Sequence, residues 1–142
     1  MGRGVAGRWI AYDSNESGQF EIYVRPYPRI GDGRWRASAA GGREPLWSRD
    51  GSELFYRDFS GALLVVPVTR AQTLTVRAPV KLLDGSRYQG GGSTLGGRTY
   101  DLDPGGSRFL MIKNALPSVE TSSSVIVTEH WFQELQSRLP KR

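Results

Sequence analysis

One pattern, kept three times along the chain, constrains the fold more than any other feature. Gly7-Arg8-Trp9-Ile10-Ala11-Tyr12, Gly51-Ser52-Glu53-Leu54-Phe55-Tyr56 and Gly106-Ser107-Arg108-Phe109-Leu110-Met111 each join a glycine turn to an apolar run, at spacings of 44 and 55 residues. Arg49-Asp50-Gly51 and Asp103-Pro104-Gly105 add an aspartate just before the glycine in the second and third copies. A further element follows the first two. Ser17-Gly18 leads into Phe20-Glu21-Ile22-Tyr23-Val24, and Ser60-Gly61 leads into Leu63-Leu64-Val65-Val66-Pro67-Val68, an offset of 43. Two successive elements held at nearly the same spacing mark a repeat architecture.

The content of the repeat is β. Asp-Gly and Ser-Gly pairs supply the positive φ values that tight reversals need. Runs rich in Val, Ile, Leu, Phe and Tyr lie between them and read as strands. The pattern predicts strands near 8–13, 20–25, 34–39, 44–48, 53–57, 62–69, 79–83, 98–102, 108–113 and 123–128. Residues 85–97 carry six glycines and read as a flexible loop. Only the tail reads as helical. Over 129–139, Trp131, Leu135 and Leu139 fall at i, i+4 and i+8 with Phe132 beside them, and Pro140 ends the segment.

Repeats of about 40–45 residues with four short strands each are the signature of propeller blades. The predicted layout is a first blade over 7–40 that begins at its second strand, and a middle blade over 43–84. The loop 85–97, a third blade over 98–128 and the helix 129–139 complete it. In the middle blade Glu44–Ser48 is innermost, followed by Leu54–Arg57, Leu63–Thr69 and Val80–Leu83.

Glu44-Pro45-Leu46-Trp47-Ser48-Arg49-Asp50-Gly51-Ser52-Glu53-Leu54-Phe55-Tyr56 resembles the Pro-x-Trp-Ser-Pro-Asp-Gly-Lys-x-Ile-x-Phe motif of TolB-like propellers, a WD-repeat-like family. Arg49 stands where that family often has proline. Val125-Ile126-Val127-Thr128-Glu129-His130-Trp131-Phe132-Gln133-Glu134-Leu135 is similar to the finish of propellers appended to bacterial serine/threonine kinases, with His130 in place of the usual asparagine. The resemblance covers nearly the whole chain. It implies a sensor or interaction domain, and it gives Pro45, Trp47, Ser48, Asp50, Gly51, Trp131 and Phe132 structural rather than chemical roles. Pro45 suits a strand start, Asp50-Gly51 closes a hairpin, Trp47 fills the wedge between blades, and Leu54 and Tyr56 alternate with Phe55 across two faces.

Length then becomes a constraint. Propellers close with about four to eight blades, and 142 residues supply about three. The expectation is a homodimer whose halves complete a six-blade ring, or completion by further blades of a parent protein.

Composition excludes several classes. No apolar run reaches the roughly 18–20 residues of a membrane helix. The opening Met1–Arg8 lacks the apolar stretch of a secretory signal. With no cysteine there is no disulfide framework and no thiolate metal site. The net charge of +5 is spread as +3 over residues 1–77 and +2 over 78–142, unlike the concentrated patch that binds nucleic acid.

Chemistry-bearing patterns are few. Gly2-Arg3-Gly4-Val5-Ala6-Gly7 fits a dinucleotide motif by letter but precedes a strand instead of opening a helix, so it reads as a flexible N-terminus. Gly90-Gly91-Gly92-Ser93 lacks the Gly-Lys-Ser/Thr of a phosphate loop, and no G-x-S-x-G elbow occurs. His130 is the single histidine and reads as a junction residue. Asp101 and Asp103 share a face if their strand continues, which suits turn capping or, as the alternative, a cation. Tyr23, Arg25, Tyr27, Arg29, Arg34, Trp35 and Arg36 form an arginine–aromatic stretch, of which Arg25, Tyr27, Arg34, Trp35 and Arg36 are the candidate surface for a protein partner or a stacked ligand. The expected function is therefore non-catalytic recognition of a protein or small ligand, without metal or cofactor. The alternatives are the propeller domain of a hydrolase or other enzyme, and a fragment without independent function.

Overall fold

The computed structural model describes residues 2–3, 8–70, 73–89 and 97–113. These residues are all-β, with one short 3-10 turn at Ile30–Asp32, and their strands pair antiparallel in sheets of four, five and two strands. The predicted strand at 123–128 and helix at 129–139, with His130, Trp131 and Phe132, lie outside the described residues.

The first sheet pairs β1 (Gly2–Arg3), β2 (Trp9–Ser14), β3 (Glu21–Pro26) and β4 (Trp35–Arg36) in that order. The sequence placed the start of this unit at its second strand and read the N-terminus as flexible. Instead Gly2 and Arg3 pair with Ala11 and Ile10. Glycine-rich segments lack strand propensity but still pair where a neighbouring edge offers free N–H and C=O groups. The fourth strand is shorter than the predicted 34–39. After Arg36 the Ala37 N–H still donates to the Ile22 carbonyl, but the Ser38 hydroxyl accepts from the Ile22 N–H, so a side chain replaces the next ladder bond.

The second sheet contains β5 (Arg43–Trp47), β6 (Glu53–Arg57), β7 (Leu63–Arg70), β8 (Leu74–Val76) and β9 (Val80–Leu83). The long β7 pairs β6 on one side; on the other, its first half pairs β9 and its second half pairs β8. The outer strand is thus broken near Arg77, whose N–H reaches the Pro67 carbonyl. Pro67 and Pro79 have no N–H to carry the ladder through that point. The third sheet is the hairpin of β10 (Tyr100–Leu102) and β11 (Phe109–Met111).

Two of the turns are built alike. The Gly18 N–H donates to the Asn15 carbonyl, and the Gly61 N–H to the Asp58 carbonyl, both glycines in the left-handed region. In the motif turn, Ser48 donates its hydroxyl to Asp50 at 2.7 Å while accepting from the Glu53 N–H at 2.9 Å. The N–H of Ser52, with the Ser48 and Ser52 hydroxyls, holds the Asp50 carboxyl down at about 2.

Pro45 departs from the expected strand start. It lies inside β5, where Arg43 pairs with Arg57 and Leu46 with Phe55, so Glu44 and Pro45 together oppose Tyr56. This is a bulge, a place where a missing donor breaks nothing. Glu44 takes φ of 62° there, in the left-handed region that side chains rarely enter.

Alternation along β6 divides the interior into two clusters. Leu54 and Tyr56 join Trp47, Val66 and Val68 against Ala11, Ile22 and Val24 of the first sheet. Phe55 joins Leu63 and Val65 against Tyr100 of the third sheet, with Phe109 and Met111 packed alongside. The middle sheet is therefore buried on both faces, each face by a different neighbour. Trp47 lies in the cluster between the first two sheets, and its indole Nε1 has no hydrogen-bond partner among the described residues.

Candidate functional site

The β2–β3 register builds the outer face of the first sheet. Tyr12 pairs with Tyr23, Ile10 with Arg25 and Ser14 with Glu21. Because side chains alternate, these residues turn away from the side that buries Ala11, Ile22 and Val24. The two tyrosine rings lie 5.8 Å apart, tilted by 33°.

Arginines gather around that aromatic pair. Arg25 donates through Nε to the Tyr12 hydroxyl at 2.8 Å and through Nη1 to the Ile30 carbonyl at 3.1 Å. Arg34 lies over the Tyr23 ring, 4.8 Å from its centre, and pairs with Glu16 at 2.6 Å. Arg36 approaches Glu21 at 3.8 Å. The Arg34 and Arg36 side chains are 44% and 57% exposed. Three cations facing two carboxylates leave the face with a positive excess.

Glu21 is buried in this group, as is Tyr23 beneath Arg34. Burial works to raise the Glu21 carboxyl. Hydrogen bonds from Ser38 and Gln19, the charge of Arg36 and the Gly41 N–H outweigh it and hold the group below the usual carboxylate range. Glu21 thus stays charged beneath a polar surface, and its neighbours pin the turn that carries the chain into β5.

The predicted arginine–aromatic stretch divides in the structure. Arg25, Arg34 and Arg36 come together on this face. Trp35 packs against the first core with Trp9, edge to face at 5.5 Å. Tyr27 is exposed in the turn after β3, and its N–H donates to the Arg8 carbonyl. Tyr23, part of the predicted stretch, belongs to the face together with Tyr12 and Glu16, which were not singled out from sequence. The hairpin register was the signal that places the two tyrosines opposite each other.

A second polar group lies between the middle and third sheets. Arg57 is fully buried. Its guanidinium donates to the carbonyls of Gly61, Tyr88 and Gln89 and to the Thr99 hydroxyl. Glu44 accepts from the Thr99 N–H at 2.8 Å and hydroxyl at 2.7 Å, and its backbone carbonyl accepts from the Tyr100 hydroxyl at 2.7 Å. Burial, with the Glu44 charge nearby, lifts the Tyr100 phenol far above its usual value. These donors are spent on the protein itself, so the group fastens one sheet to the next.

Asp101 and Asp103 take separate tasks. The strand ends at Leu102, where Asp103 caps the turn by accepting from the Ser107 and Arg108 N–H groups, while Asp101 pairs with Arg98. Among the described residues no group of three or more His, Cys, Asp or Glu is placed to hold a metal ion, and no helix is long and apolar enough to cross a membrane. No protein-family model, curated protein or solved structure matches the chain.

Proposed function

We propose that the chain is a set of β-propeller blades that serves as a non-catalytic recognition module, binding a protein through the arginine–tyrosine face of its first sheet. The observation that carries this reading is the division of β6. Leu54 and Tyr56 enter one core and Phe55 enters another, the arrangement expected when repeat units stack face to face. A stack of this kind ends in sheet faces that a further unit or partner can cover. The first such face combines the partly exposed Tyr12 with Arg34 and Arg36, residue types enriched at interface hot spots.

Four acids among the described residues are engaged in holding the fold. Asp50 and Asp103 organise turns, Glu44 joins two sheets, and Glu21 is tied to Ser38 and Gly41. Recognition needs none of them released.

The test is site-specific photo-crosslinking in the producing cell, with benzoylphenylalanine at Arg36 and, as the control, at the exposed Glu53. A discrete protein adduct is expected from position 36 and not from 53, and it should disappear with Arg34→Glu. Equal adducts from both positions, or none, would overturn the assignment of the face. Turnover of a model ester or peptide that His130→Ala abolishes would overturn the non-catalytic reading.

A further inference from the structure

We propose that the chain carries a modification site at Asp32-Gly33, where the backbone closes on the aspartate side chain and reopens as isoaspartate in preference to the other two Asp-Gly bonds. The inference stands apart from what the neighbouring face binds.

The chain has three such bonds, Asp32-Gly33, Asp50-Gly51 and Asp84-Gly85. The reaction needs only water. The glycine amide nitrogen attacks Cγ of the aspartate, a C–N bond forms, and the amide proton and the carboxyl hydroxyl leave together as water. The product is a cyclic succinimide. Water then adds back to either ring carbonyl. Cleavage at the former main-chain carbonyl leaves the chain running through the side-chain carbon. A following glycine favours the attack, because no Cβ crowds the nitrogen.

The structure separates the three bonds. Asp50 accepts from the Ser48 hydroxyl at 2.7 Å, the Ser52 N–H at 3.0 Å and the Ser52 hydroxyl at 2.8 Å, and the Gly51 N–H donates to the Ser48 carbonyl. Both reacting groups are therefore held. Asp84 accepts from the Ser86 N–H at 3.0 Å. Gly85 is buried against the Gly61 carbonyl and its own carbonyl accepts from the Tyr88 N–H, so the peptide joining it to Asp84 cannot swing into a ring.

Asp32 is held by much less. Its side chain is 53% exposed, and among the described residues its carboxylate meets the Arg29 guanidinium at 3.0 Å, itself 82% exposed. An exposed pair of this kind restrains little. Asp32 ends the 3-10 turn, and Gly33 opens into extended backbone with φ of 162° and ψ of 165°. The glycine is required by the fold. A Cβ on it would stand 2.5 Å from the Trp35 ring, which packs against the first core.

The change reaches the arginine–tyrosine face. Isoaspartate lengthens the main chain by one carbon between Ile30, whose carbonyl accepts from Arg25 at 3.1 Å, and Arg34, which covers the Tyr23 ring and pairs with Glu16 at 2.6 Å. With both sides of the segment pinned, the added carbon moves Arg34 off Tyr23.

The full chain should be aged in warm, near-neutral buffer made with oxygen-18 water, then mapped by electron-transfer mass spectrometry. Oxygen-18 and isoaspartate should enter position 32 at least about tenfold faster than positions 50 and 84. In urea the three rates should converge. Asp32→Glu should remove the signal. Asp32→Asn should give isoaspartate faster, since ammonia then leaves in place of water. Both variants should keep the circular dichroism of the parent. The Tyr23 ring resonances of the aged chain should shift in step with isoaspartate at position 32.

Equal labelling at the three positions overturns the proposal, as does an unlabelled position 32 in a folded chain whose urea-unfolded form is labelled. A preference for position 32 that persists unchanged in urea would mean that local sequence, and not the fold, selects the bond. Tyr23 resonances indifferent to isoaspartate would overturn the displacement of Arg34.

Discussion

Between the first and second sheets the described residues bury ten side chains, nine of them without charge or hydroxyl and the tenth Tyr56. Between the second and third they bury four, and beside those stand Arg57, Glu44 and Thr99 with their hydrogen bonds. One interface is held by area and the other by a few directed contacts. Burial of area is shared, so losing one methyl group costs only its own contribution. A hydrogen-bonded group is not shared. Removing Arg57 strands several buried carbonyls at once, and each unmade bond carries a desolvation cost.

Substitutions can break this contrast. The largest effect is expected for Arg57→Met, about 3 kcal/mol of stability lost by urea denaturation. Hydrogen exchange should accelerate at Tyr88, Gln89 and Thr99 while the amides of Ile22 and Val24 stay protected. Equal acceleration in both regions would mean that the two interfaces are not independent. Gly85→Ala comes next, at about 2 kcal/mol. A Cβ there would fall 1.7 Å from the Gly61 carbonyl oxygen, a backbone atom that cannot swing aside. Its damage should also centre on the 85–89 segment, read by the same exchange measurement.

Ile22→Val in the apolar interface should cost only about 1 kcal/mol, with no local release. If it matched Arg57→Met, shared area would not be what holds the first two sheets.

Acid should act on all three sheets rather than on one interface. Asp50, Asp84 and Asp103 are held below the usual carboxylate range, chiefly by the N–H groups of Ser52, Ser86 and Arg108 respectively, and Glu21 by the balance already described. A depressed carboxyl stabilises the fold above its unfolded value near pH 4, and that contribution is lost as pH falls through the folded value. The urea midpoint should therefore decline between about pH 4 and 2, and Asp50→Asn should flatten the decline. A midpoint that rises on acidification would contradict these assignments.

The apolar interface was legible in the sequence because it follows periodicity. Leu54, Phe55 and Tyr56 alternate, and the glycine turns at 18, 51 and 61 mark where strands reverse. The polar interface was not legible. Its bonds join Glu44 to Thr99 and Arg57 to Tyr88 and Gln89, pairs far apart in the chain with no period between them. The bulge at Glu44 and Pro45 was also hidden, because proline signals a break without saying whether a strand starts there or resumes. Arg25, Arg34 and Arg36 were found as a stretch, but only the hairpin register separates them from Trp35, which faces the core.

The interrupted outer strand of the second sheet bears on how the protein behaves in a crowded solution. Among the described residues β9 is an edge strand with Val80 and Leu82 about half exposed, the sort of sequence that recruits a foreign strand into a growing sheet. Lys81 stands between those two apolar residues, and Pro79 begins the segment with no N–H to offer. The break opposite Pro67 then keeps β9 to four residues. An incoming strand would find a template too short and too irregular to extend, so the kink that interrupts the ladder also guards the chain against aggregation.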